Sequence, residues 1–323
     1  MGYRREDYIK ANALLTERKL AAEAAAARRL SVIYEKIPEI KRIDTELSGT
    51  ERKIIDAIRL GPNGITERMS ALEAESLALS EKRGRLLLEN GYPSSYTEPE
   101  YFCPDCSDTG YVNGKMCVCK KRALVMASYE SSGIGALMKT QSFDSFSFDY
   151  YSGDALIKAK NNYAVSKNYA ENFTGKNDGN LLFAGATGLG KTHLSTSVAV
   201  SVIDRGFDVK YETAQNLIGD FEDKQFRSTY SAADDDPTER YFDCDLLIID
   251  DLGTEMTNQF TVSCLYNLIN SRINRGKAMI INTNLSSAEL RKRYSDRITS
   301  RLFGEFSVLL FEGRDIRAAK LKN

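Results

Sequence analysis

The sequence lacks a net charge of either sign. Its 44 lysine and arginine residues nearly cancel its 45 aspartate and glutamate residues, which leaves a formal charge of −1. This balance excludes a global basic field that would hold the protein on nucleic acid or on an anionic membrane. Any such contact must therefore come from a local patch.

Long hydrophobic runs are also absent. No stretch is apolar over the roughly 20 residues that a membrane-spanning helix needs. The first ten residues, MGYRREDYIK, place charged side chains at positions 4–7, where a secretory signal would begin its apolar run. We therefore expect a cytoplasmic protein with no membrane partner.

Proline is almost missing from residues 3–91, which are rich in Ala, Leu, Glu, Lys and Arg. Apolar positions recur there at helical spacing, so the stretch is predicted to form helices. Breaks are expected at Pro38 and at residues 61–64. Ser48 followed by Glu51 resembles a capping box that would start a new helix.

The composition divides the chain into four segments. Residues 1–100 are predicted to form a helical N-terminal domain, either a partner-binding domain or a structural spacer. Residues 101–122 hold a compact cysteine segment, 123–150 resemble a linker, and 151–323 alternate strands with helices, which predicts an α/β domain with a parallel sheet. The expected strands are 181–184, 207–211, 246–249 and 278–282. Three helices are expected: one begins at Lys191, a second contains 217–226 and a third contains 265–273.

A glycine-rich phosphate-binding motif follows the first of these strands. Gly185-Ala186-Thr187-Gly188-Leu189-Gly190-Lys191-Thr192 satisfies the pattern G-x-x-x-x-G-K-[ST] and opens a predicted helix. The glycines allow backbone N–H groups to point at the phosphates. Lys191 is expected to reach the β- and γ-phosphates, and Thr192 to offer its hydroxyl to Mg²⁺. These residues are therefore predicted to bind ATP with Mg²⁺.

Two carboxylates end the buried-strand run Leu-Leu-Ile-Ile-Asp250-Asp251. A parallel strand delivers its last residues to the sheet edge where the phosphate loop also lies. Asp250 is therefore expected to hold Mg²⁺, and Asp251 to polarise the attacking water. His193, the only histidine, follows the loop directly. We include it among the nucleotide-site residues, although a structural role is favoured over a catalytic one.

Four cysteines are clustered as C-x-x-C and C-x-C with ten residues between the pairs: Cys103, Cys106, Cys117 and Cys119. Clustered thiols in a reducing compartment favour a metal over disulfides, and four thiolates suit a structural, tetrahedral Zn²⁺. An iron–sulfur centre or redox-active dithiols are the alternatives.

Two local patches remain beside these motifs. The run Lys120-Lys121-Arg122 adjoins the cysteines and is interpreted as a solvated charge run, with DNA contact as the alternative. Five aromatic residues are expected to pack near the nucleotide or the core, with base stacking as the alternative: Phe143, Phe146, Phe148, Tyr150 and Tyr151.

Five segments in order resemble the DnaC/DnaI-type bacterial helicase loaders, which are AAA+ ATPases. They are GATGLGKTHL, LLIIDDLGTE, MIINTNLS, YSDRITSRLFGEF and EGRDIR. The resemblance covers about residues 140–323 strongly and the helical half only in its general plan. A zinc-bearing module also resembles what DnaI-type loaders place before their ATPase core. IstB-type transposition helpers have similar ATPase cores and are the main rival family.

The resemblance implies further roles. Asn284 matches the sensor position that orients the hydrolytic water, and Arg317 matches the second sensor arginine. Arg301 matches the arginine finger that reaches the γ-phosphate of a neighbouring subunit, with Arg297 as a competing candidate on the same helix. A surface salt bridge is the alternative for either arginine. Many AAA+ proteins have Glu where this chain has Asp251, so we hypothesise slow hydrolysis that suits an ATP-state switch.

The expected function is ATP-dependent loading of a hexameric replicative DNA helicase. The N-terminal helices and the zinc module would grip the helicase, while the AAA+ domain would self-associate and bind ATP and single-stranded DNA. Two alternatives stay open. One is a transposition helper whose partner is a transposase, and the other is an adaptor that uses ATP only as a structural ligand.

Overall fold

The chain folds into two compact units. The computed structural model describes residues 3, 5–59, 65–129, 133–226, 236 and 238–320. Residues 14–109 form a helical unit, and residues 1–13 together with 110–323 form a second unit, here called the sheet unit. The division at 109/110 falls inside the predicted cysteine segment, and the expected break at residues 61–64 lies outside the described part of the chain.

Three helices build most of the N-terminal half, as the scarcity of proline and the apolar periodicity predict. They are α1 (Arg5–Lys36), α2 (Pro38–Arg59) and α3 (Ile65–Glu89). The predicted break at Pro38 is confirmed, because Pro38 is the first residue of α2. Proline favours that position, since its ring fixes φ at a helical value and its missing N–H has no intrahelical partner there.

The helical unit has its own small apolar core. Arg83 lies beside it, where the guanidinium bonds Asp44 at 2.7 Å and donates to the hydroxyl of Thr97 at 2.8 Å. These polar contacts join α2 and α3 to the segment that follows α3. The fully or nearly fully buried members of the core are Ile33, Ile37, Ile40 and Leu87.

The predicted capping box at Ser48 is wrong. Ser48 lies in the interior of α2, where its hydroxyl donates to the carbonyl oxygen of Asp44 at 2.8 Å. The buried residues Ile40 and Ile43 precede Ser48, so the apolar stripe of the helix is already established before it. A serine whose hydroxyl bonds the preceding turn is tolerated within a helix.

A short hairpin and two helices precede the main sheet. They are β1 (Tyr111–Val112) with its antiparallel partner β2 (Lys115–Met116), α4 (Val118–Tyr129) and α5 (Gly133–Thr140). The stretch 123–150, which we expected to be a linker, therefore contains most of α4 and all of α5. Leu124, Val125 and Tyr129 are buried in the core of the sheet unit, and the Tyr129 hydroxyl donates to Val209 O at 3.0 Å.

Five parallel strands form the main sheet, which confirms the predicted α/β fold. They are β3 (Asn180–Ala184), β4 (Val209–Thr213), β5 (Leu246–Leu252), β6 (Ala278–Thr283) and β7 (Phe306–Leu310), in the order β4-β5-β6-β3-β7. Strand β4 begins two residues later than predicted. Strand β7 was not predicted.

Helices cover both faces of this sheet. Along β5, Leu246 and Ile248 pack on the face that holds α4, α6 and α7, whereas Leu247 and Ile249 pack on the opposite face. A strand buried on both faces reads as a continuous apolar run, as the sequence does here. The helices after α5 are α6 (Gly153–Glu171), α7 (Lys191–Asp204), α8 (Ala214–Phe226), α9 (Glu239–Asp243), α10 (Gln259–Asn274), α11 (Ser287–Arg293), α12 (Asp296–Gly304) and α13 (Ile316–Lys320).

The carboxyl ends of β3, β5 and β6 lie at one edge of the sheet. Gly185 and Asn284 directly follow β3 and β6, and Asp250 lies near the end of β5, so the residues singled out in three separate motifs converge there. None of the described helices combines the length and the hydrophobicity needed to cross a membrane.

Candidate nucleotide site

The phosphate-binding loop connects β3 to α7 and needs glycine for two reasons. Gly185 and Gly188 have φ values of +153° and +79°, which side chains rarely adopt. A Cβ would also lie 2.2 Å from Phe311 O at Gly185, and 2.0 Å from Asp315 Oδ1 at Gly188. The backbone after β7 thus packs directly on the loop, and Ile316 N donates to Gly188 O at 2.9 Å.

Lys191 is buried within this loop. Its ammonium donates to the carbonyl oxygens of Gly185 and Ala186, each at 2.6 Å, and to Asn284 Oδ1 at 2.7 Å. Burial lowers the pKa of Lys191 from its ordinary value, and the nearby carboxylates oppose that shift. The loop therefore holds a partly desolvated cation where the backbone turns, which suits a phosphate group.

Asp250 and Thr192 lie together, as the sequence predicts. The Thr192 hydroxyl lies 3.2 Å from Asp250 Oδ2, and Asp250 is only 6% exposed. Among the described residues, no Lys or Arg nitrogen lies within 4.0 Å of this carboxylate, so it is a buried anion without an ion pair. A carboxylate and a hydroxyl are oxygen ligands of the kind that Mg²⁺ prefers, and these residues therefore fit the ion.

Asp251 follows with an unusual backbone conformation. Its φ is +54°, and the β5–β6 register shifts between Ile249 and Leu252. Aspartate tolerates this left-handed region better than most residues do. Burial raises the pKa of Asp251, and the charge of Asp250 raises it further. Asn284 Nδ2 lies 3.3 Å from Asp251 Oδ1, so one amide contacts both this carboxylate and Lys191.

A cavity of about 440 Å³ lies over the loop. The prediction that the aromatic segment packs near the nucleotide or the core is confirmed, because Phe146 and Tyr151 are buried and the Tyr151 hydroxyl donates to Leu189 O at 3.0 Å. Burial raises the pKa of Tyr151 to about 12, so its phenol stays protonated as a donor. The cavity is lined by Gln141, Ser145, Phe146, Ser147, Tyr150, Thr187, Gly188, Leu189, Gly190, Lys191, Thr192, His193, Asp251, Asn284, Ile316 and Arg317.

His193 faces the segment that precedes α6. Its Nε2 lies 3.0 Å from Ser142 O and 3.2 Å from Ser145 Oγ, and its ring meets Phe146 edge to face. These contacts favour the structural interpretation, in which His193 fixes one wall of the cavity.

The three arginines that the resemblance indicates are not all at the cavity. Arg317 lines it, and its charge contributes to the lowered pKa of Lys191. Arg301 and Arg297 lie on α12, and neither lines the cavity. The Arg301 guanidinium bonds Asn270 Oδ1 at 2.6 and 2.9 Å.

Sequence reasoning missed two residues that contact Asp250. The Tyr211 hydroxyl donates to Asp250 Oδ2 at 2.8 Å, and Asn282 Nδ2 donates to Oδ1 at 2.8 Å. Both side chains are fully buried, and burial is the main reason that the pKa of Tyr211 is well above its ordinary value. The one available signal was a polar Asn within the apolar strand β6.

The four clustered thiols also lie together. The Sγ atoms of Cys103, Cys106, Cys117 and Cys119 are all within 4.8 Å of one another, and three of these residues are buried. The Asp108 carboxylate accepts the Cys103 backbone N–H at 3.0 Å and so shapes the first turn. Four thiols at this spacing fit a tetrahedral Zn²⁺, whose bonds to sulfur are about 2.3 Å long.

The charge run beside the cysteines already has partners. Lys120 is buried and donates to the Tyr111 hydroxyl at 2.9 Å, while Arg122 pairs with Asp204 at 2.9 Å. Two of the three basic side chains in the run therefore already bond to protein groups, which disfavours DNA contact.

The parallel sheet and the glycine-rich loop after its strand β3 define a P-loop protein. The sequence model of the family described as IstB-like ATP binding protein matches residues 131–303, just over half of the chain. The chain therefore belongs to the IstB-like ATP-binding family. The match begins inside the stretch 123–150 that we expected to be a linker, in agreement with the packing of α5 on α7.

The resemblance to helicase loaders is confirmed by curated relatives. The protein named Replicative helicase loader DnaC of Escherichia coli (strain K12) is 24% identical over 185 residues, which are 57% of this chain and 71% of the relative. The protein of the same name in Buchnera aphidicola subsp. Acyrthosiphon pisum (strain APS) is 24% identical over 182 residues, which are 56% of this chain and 71% of the relative. A crystal structure of the DnaC helicase loader aligns with a TM-score of 0.46 and 21% identity, and covers 54% of this chain and 98% of that one.

Proposed function

We propose that this protein is an ATP-dependent loader of a replicative DNA helicase and that it acts in the cytoplasm. The observation that carries the proposal is the group formed by the buried Lys191 and Asp250 with the half-buried Thr192, beneath a cavity of about 440 Å³. Its family is described as ATP-binding, and the relatives cited above are named helicase loaders.

Different residues at the cavity would bind the phosphates, hold Mg²⁺ and orient water. Lys191 and the backbone N–H groups of the loop would bind the β- and γ-phosphates, and Thr192 and Asp250 would hold Mg²⁺. When bound, the ion neutralises phosphate charge. Asp251 would orient the attacking water, with Asn284 aligning its carboxylate.

Hydrolysis in this proposal is slow and serves as a switch. Asp251 is one methylene shorter than the glutamate of many AAA+ proteins, and its left-handed backbone fixes its approach to the cavity. Asp251→Asn keeps the tolerance for that backbone and removes the base. We expect hydrolysis to fall about 10²-fold or more in this variant, with ATP binding retained. Fast turnover of the unmodified protein without any partner would exclude the slow switch.

ATP can drive loading only by binding one assembly state better than another. Self-association of sheet units would bring Arg301 of one subunit towards the γ-phosphate of its neighbour. The helical unit and the cysteine cluster would bind the helicase, and the sheet unit would bind single-stranded DNA.

The loader is tested with the helicase of the same host on closed circular single-stranded DNA. The protein with ATP should increase the DNA-bound helicase, and Lys191→Ala should abolish that increase. Lys176→Ala is the matched control, because Lys176 is an exposed lysine away from the cavity. An adaptor that uses ATP only structurally would keep its partner activity in Lys191→Ala.

A second candidate is a transposition helper, because the family description names IstB-like proteins. Its partner would be a transposase and its DNA would be duplex. Parallel binding measurements with the purified helicase and with a transposase from the same host separate the two. Binding to the transposase alone would replace the loader proposal.

A further inference from the structure

Two neutral donors hold Asp250 from the strands on either side of it. Tyr211 of β4 donates its hydroxyl to Oδ2, and Asn282 of β6 donates its amide to Oδ1, each at 2.8 Å. Ser195 of α7 contacts both donors. Its Oγ lies 3.1 Å from the Tyr211 hydroxyl oxygen and 2.8 Å from Asn282 Nδ2. All three side chains are fully buried.

Packing alone does not account for these residue types. The residues two positions earlier, Val209 in β4 and Ile280 in β6, are fully buried and apolar, and a buried phenol or amide is unfavourable unless its polar atoms are bonded. Tyr211 and Asn282 both direct a donor at the same carboxylate. Asn282 Oδ1 is itself buried without a hydrogen-bond partner among the described residues, so the amide is oriented by its donor contacts alone.

The neutrality of the donors matters for a cation site. A lysine or arginine at either position would neutralise Asp250, whereas a phenol and an amide bond its oxygens and leave its charge intact. Each oxygen of the carboxylate accepts one of these bonds. Thr192, on the loop side, is then the contact that can be exchanged for a metal ion.

We propose that Tyr211 and Asn282 are positioning residues of the metal site, which fix the Asp250 carboxylate so that it coordinates a divalent cation beside Thr192. The proposal rests on the proposed function, in which Mg²⁺ accompanies ATP at this loop. The residues that fix the Asp250 carboxylate thus lie on β4 and β6, outside the phosphate-binding loop and the carboxylate motif.

The measurable quantity is the enhancement of nucleotide affinity by Mg²⁺, taken as the ratio of the dissociation constants in EDTA and in excess Mg²⁺. A fluorescent ATP analogue serves as the probe, with the full chain. Tyr211→Phe removes one oxygen atom and should lower the enhancement about 10-fold, since a hydrogen bond to a charged group is lost. The affinity measured in EDTA should stay within about 2-fold, because Tyr211 does not contact the loop.

Tyr241→Phe is the matched control. Tyr241 is also fully buried and donates to a carboxylate, Asp220 Oδ2 at 2.5 Å, but it packs on the sheet face opposite to that of Tyr211. This control should keep the full enhancement. Asn282→Leu removes the second donor and should behave like Tyr211→Phe; it carries the test alone if thermal melting shows that Tyr211→Phe does not fold.

The outcomes separate the two levels of the proposal. Loss of the enhancement in Tyr211→Phe or Asn282→Leu, but not in Tyr241→Phe, supports the positioning role. Two results would overturn the positioning role and leave the proposed function intact. One is an unchanged enhancement in Tyr211→Phe and Asn282→Leu, and the other is an equal loss of the enhancement in Tyr241→Phe. If the unmodified protein binds the analogue equally well in EDTA and in Mg²⁺, the metal site itself is overturned, and the positioning role with it.

Discussion

The ammonium of Lys191 and the amide oxygen of Asn284 are 2.7 Å apart, although 93 positions separate them in the chain. The other end of the same amide reaches Asp251 Oδ1 at 3.3 Å. Asn284 therefore joins the phosphate-binding loop to the carboxylate expected to orient water. An amide suits this place because it offers an acceptor to the ammonium and a donor to the carboxylate.

Replacing Asn284 should affect hydrolysis more than binding. In Asn284→Ala, Lys191 keeps its two carbonyl contacts, while Asp251 loses its amide donor. We expect ATP hydrolysis to fall about 10²-fold, the effect of removing one oriented donor, with ATP affinity changed by less than about 3-fold. Phosphate release and fluorescence titration measure the two quantities.

Asn216→Ala is the control for Asn284→Ala, because Asn216 is exposed and its amide bonds Glu212 away from the cavity. It should match the unmodified protein in both measurements. Equal losses of binding and hydrolysis in Asn284→Ala would contradict a role for the amide after binding.

The part of the site carried by local motifs could be predicted from the sequence. The loop needs glycine where the segment after β7 packs on it, and Asp250 directly follows the apolar run of a buried strand, so both leave a pattern in neighbouring residues. Tyr211 could not be predicted in this way. A tyrosine in a strand is typical of packing. Its contact with Asp250, 39 positions away in the chain, depends on the parallel pairing of β4 with β5.

The fold shows the same limit. The central strands are apolar runs and could be recognised, but β7 is an edge strand with Ser307 and Val308 exposed, so its pattern is weak. Helix α4 carries no clear apolar stripe in the sequence. Its buried residues are explained only by the surface of α7 and β4 on which they pack.

Arg301 should contribute to hydrolysis in a neighbouring subunit. Its guanidinium is held by Asn270 and lies 4.7 Å from the centre of the Tyr266 ring, so it is oriented before any neighbour binds. We expect Arg301→Ala to reduce hydrolysis about 10³-fold and to spare ATP binding. Arg297→Ala, on the same helix with an exposed side chain, should have little effect.

Mixing two inactive variants tests whether Arg301 acts between subunits. Arg301→Ala supplies an intact loop, and Lys191→Ala supplies an intact Arg301. Their mixture should regain measurable hydrolysis if the arginine of one subunit serves the site of the next. Loss of activity in Arg297→Ala but not in Arg301→Ala would transfer the role to Arg297.

The cysteine cluster should bind one zinc ion per chain. Cys106→Ser removes one thiol from the cluster, and we expect zinc content to fall below stoichiometry and the melting temperature to decrease, because so small a segment depends on its metal for folding. Elemental analysis of the reduced protein measures the metal. Cys264→Ser, outside the cluster, should keep its zinc. Stoichiometric iron, or no metal in the unmodified reduced protein, would contradict the assignment.

A partly buried ion pair lies beneath the other end of β4. The Asp208 carboxylate accepts from Arg240 at 2.8 Å and from the Tyr3 hydroxyl at 2.7 Å, while the Arg240 guanidinium lies 4.0 Å from the centre of the Tyr3 ring. Burial alone would raise the pKa of Asp208. The charge of Arg240 and these hydrogen bonds outweigh it, so the pKa is lowered.

Asp208→Asn should therefore destabilise the protein in a pH-dependent way. A carboxyl whose pKa is lower in the folded state stabilises the fold above its unfolded pKa, near 3.8, and this contribution is lost as pH falls through the folded value. We expect a penalty of about 3 kcal/mol at pH 7, from a charge left without its partner. The penalty should persist down to a pH near 3.8 and shrink as the pH falls further. Denaturant unfolding from pH 7 to about pH 2 measures it, a range that extends below the unfolded pKa near 3.8. Asp243→Asn, which breaks an exposed pair with Arg275, should cost less than about 1 kcal/mol throughout. A penalty for Asp208→Asn that grows in acid would show that the ion pair does not stabilise the fold.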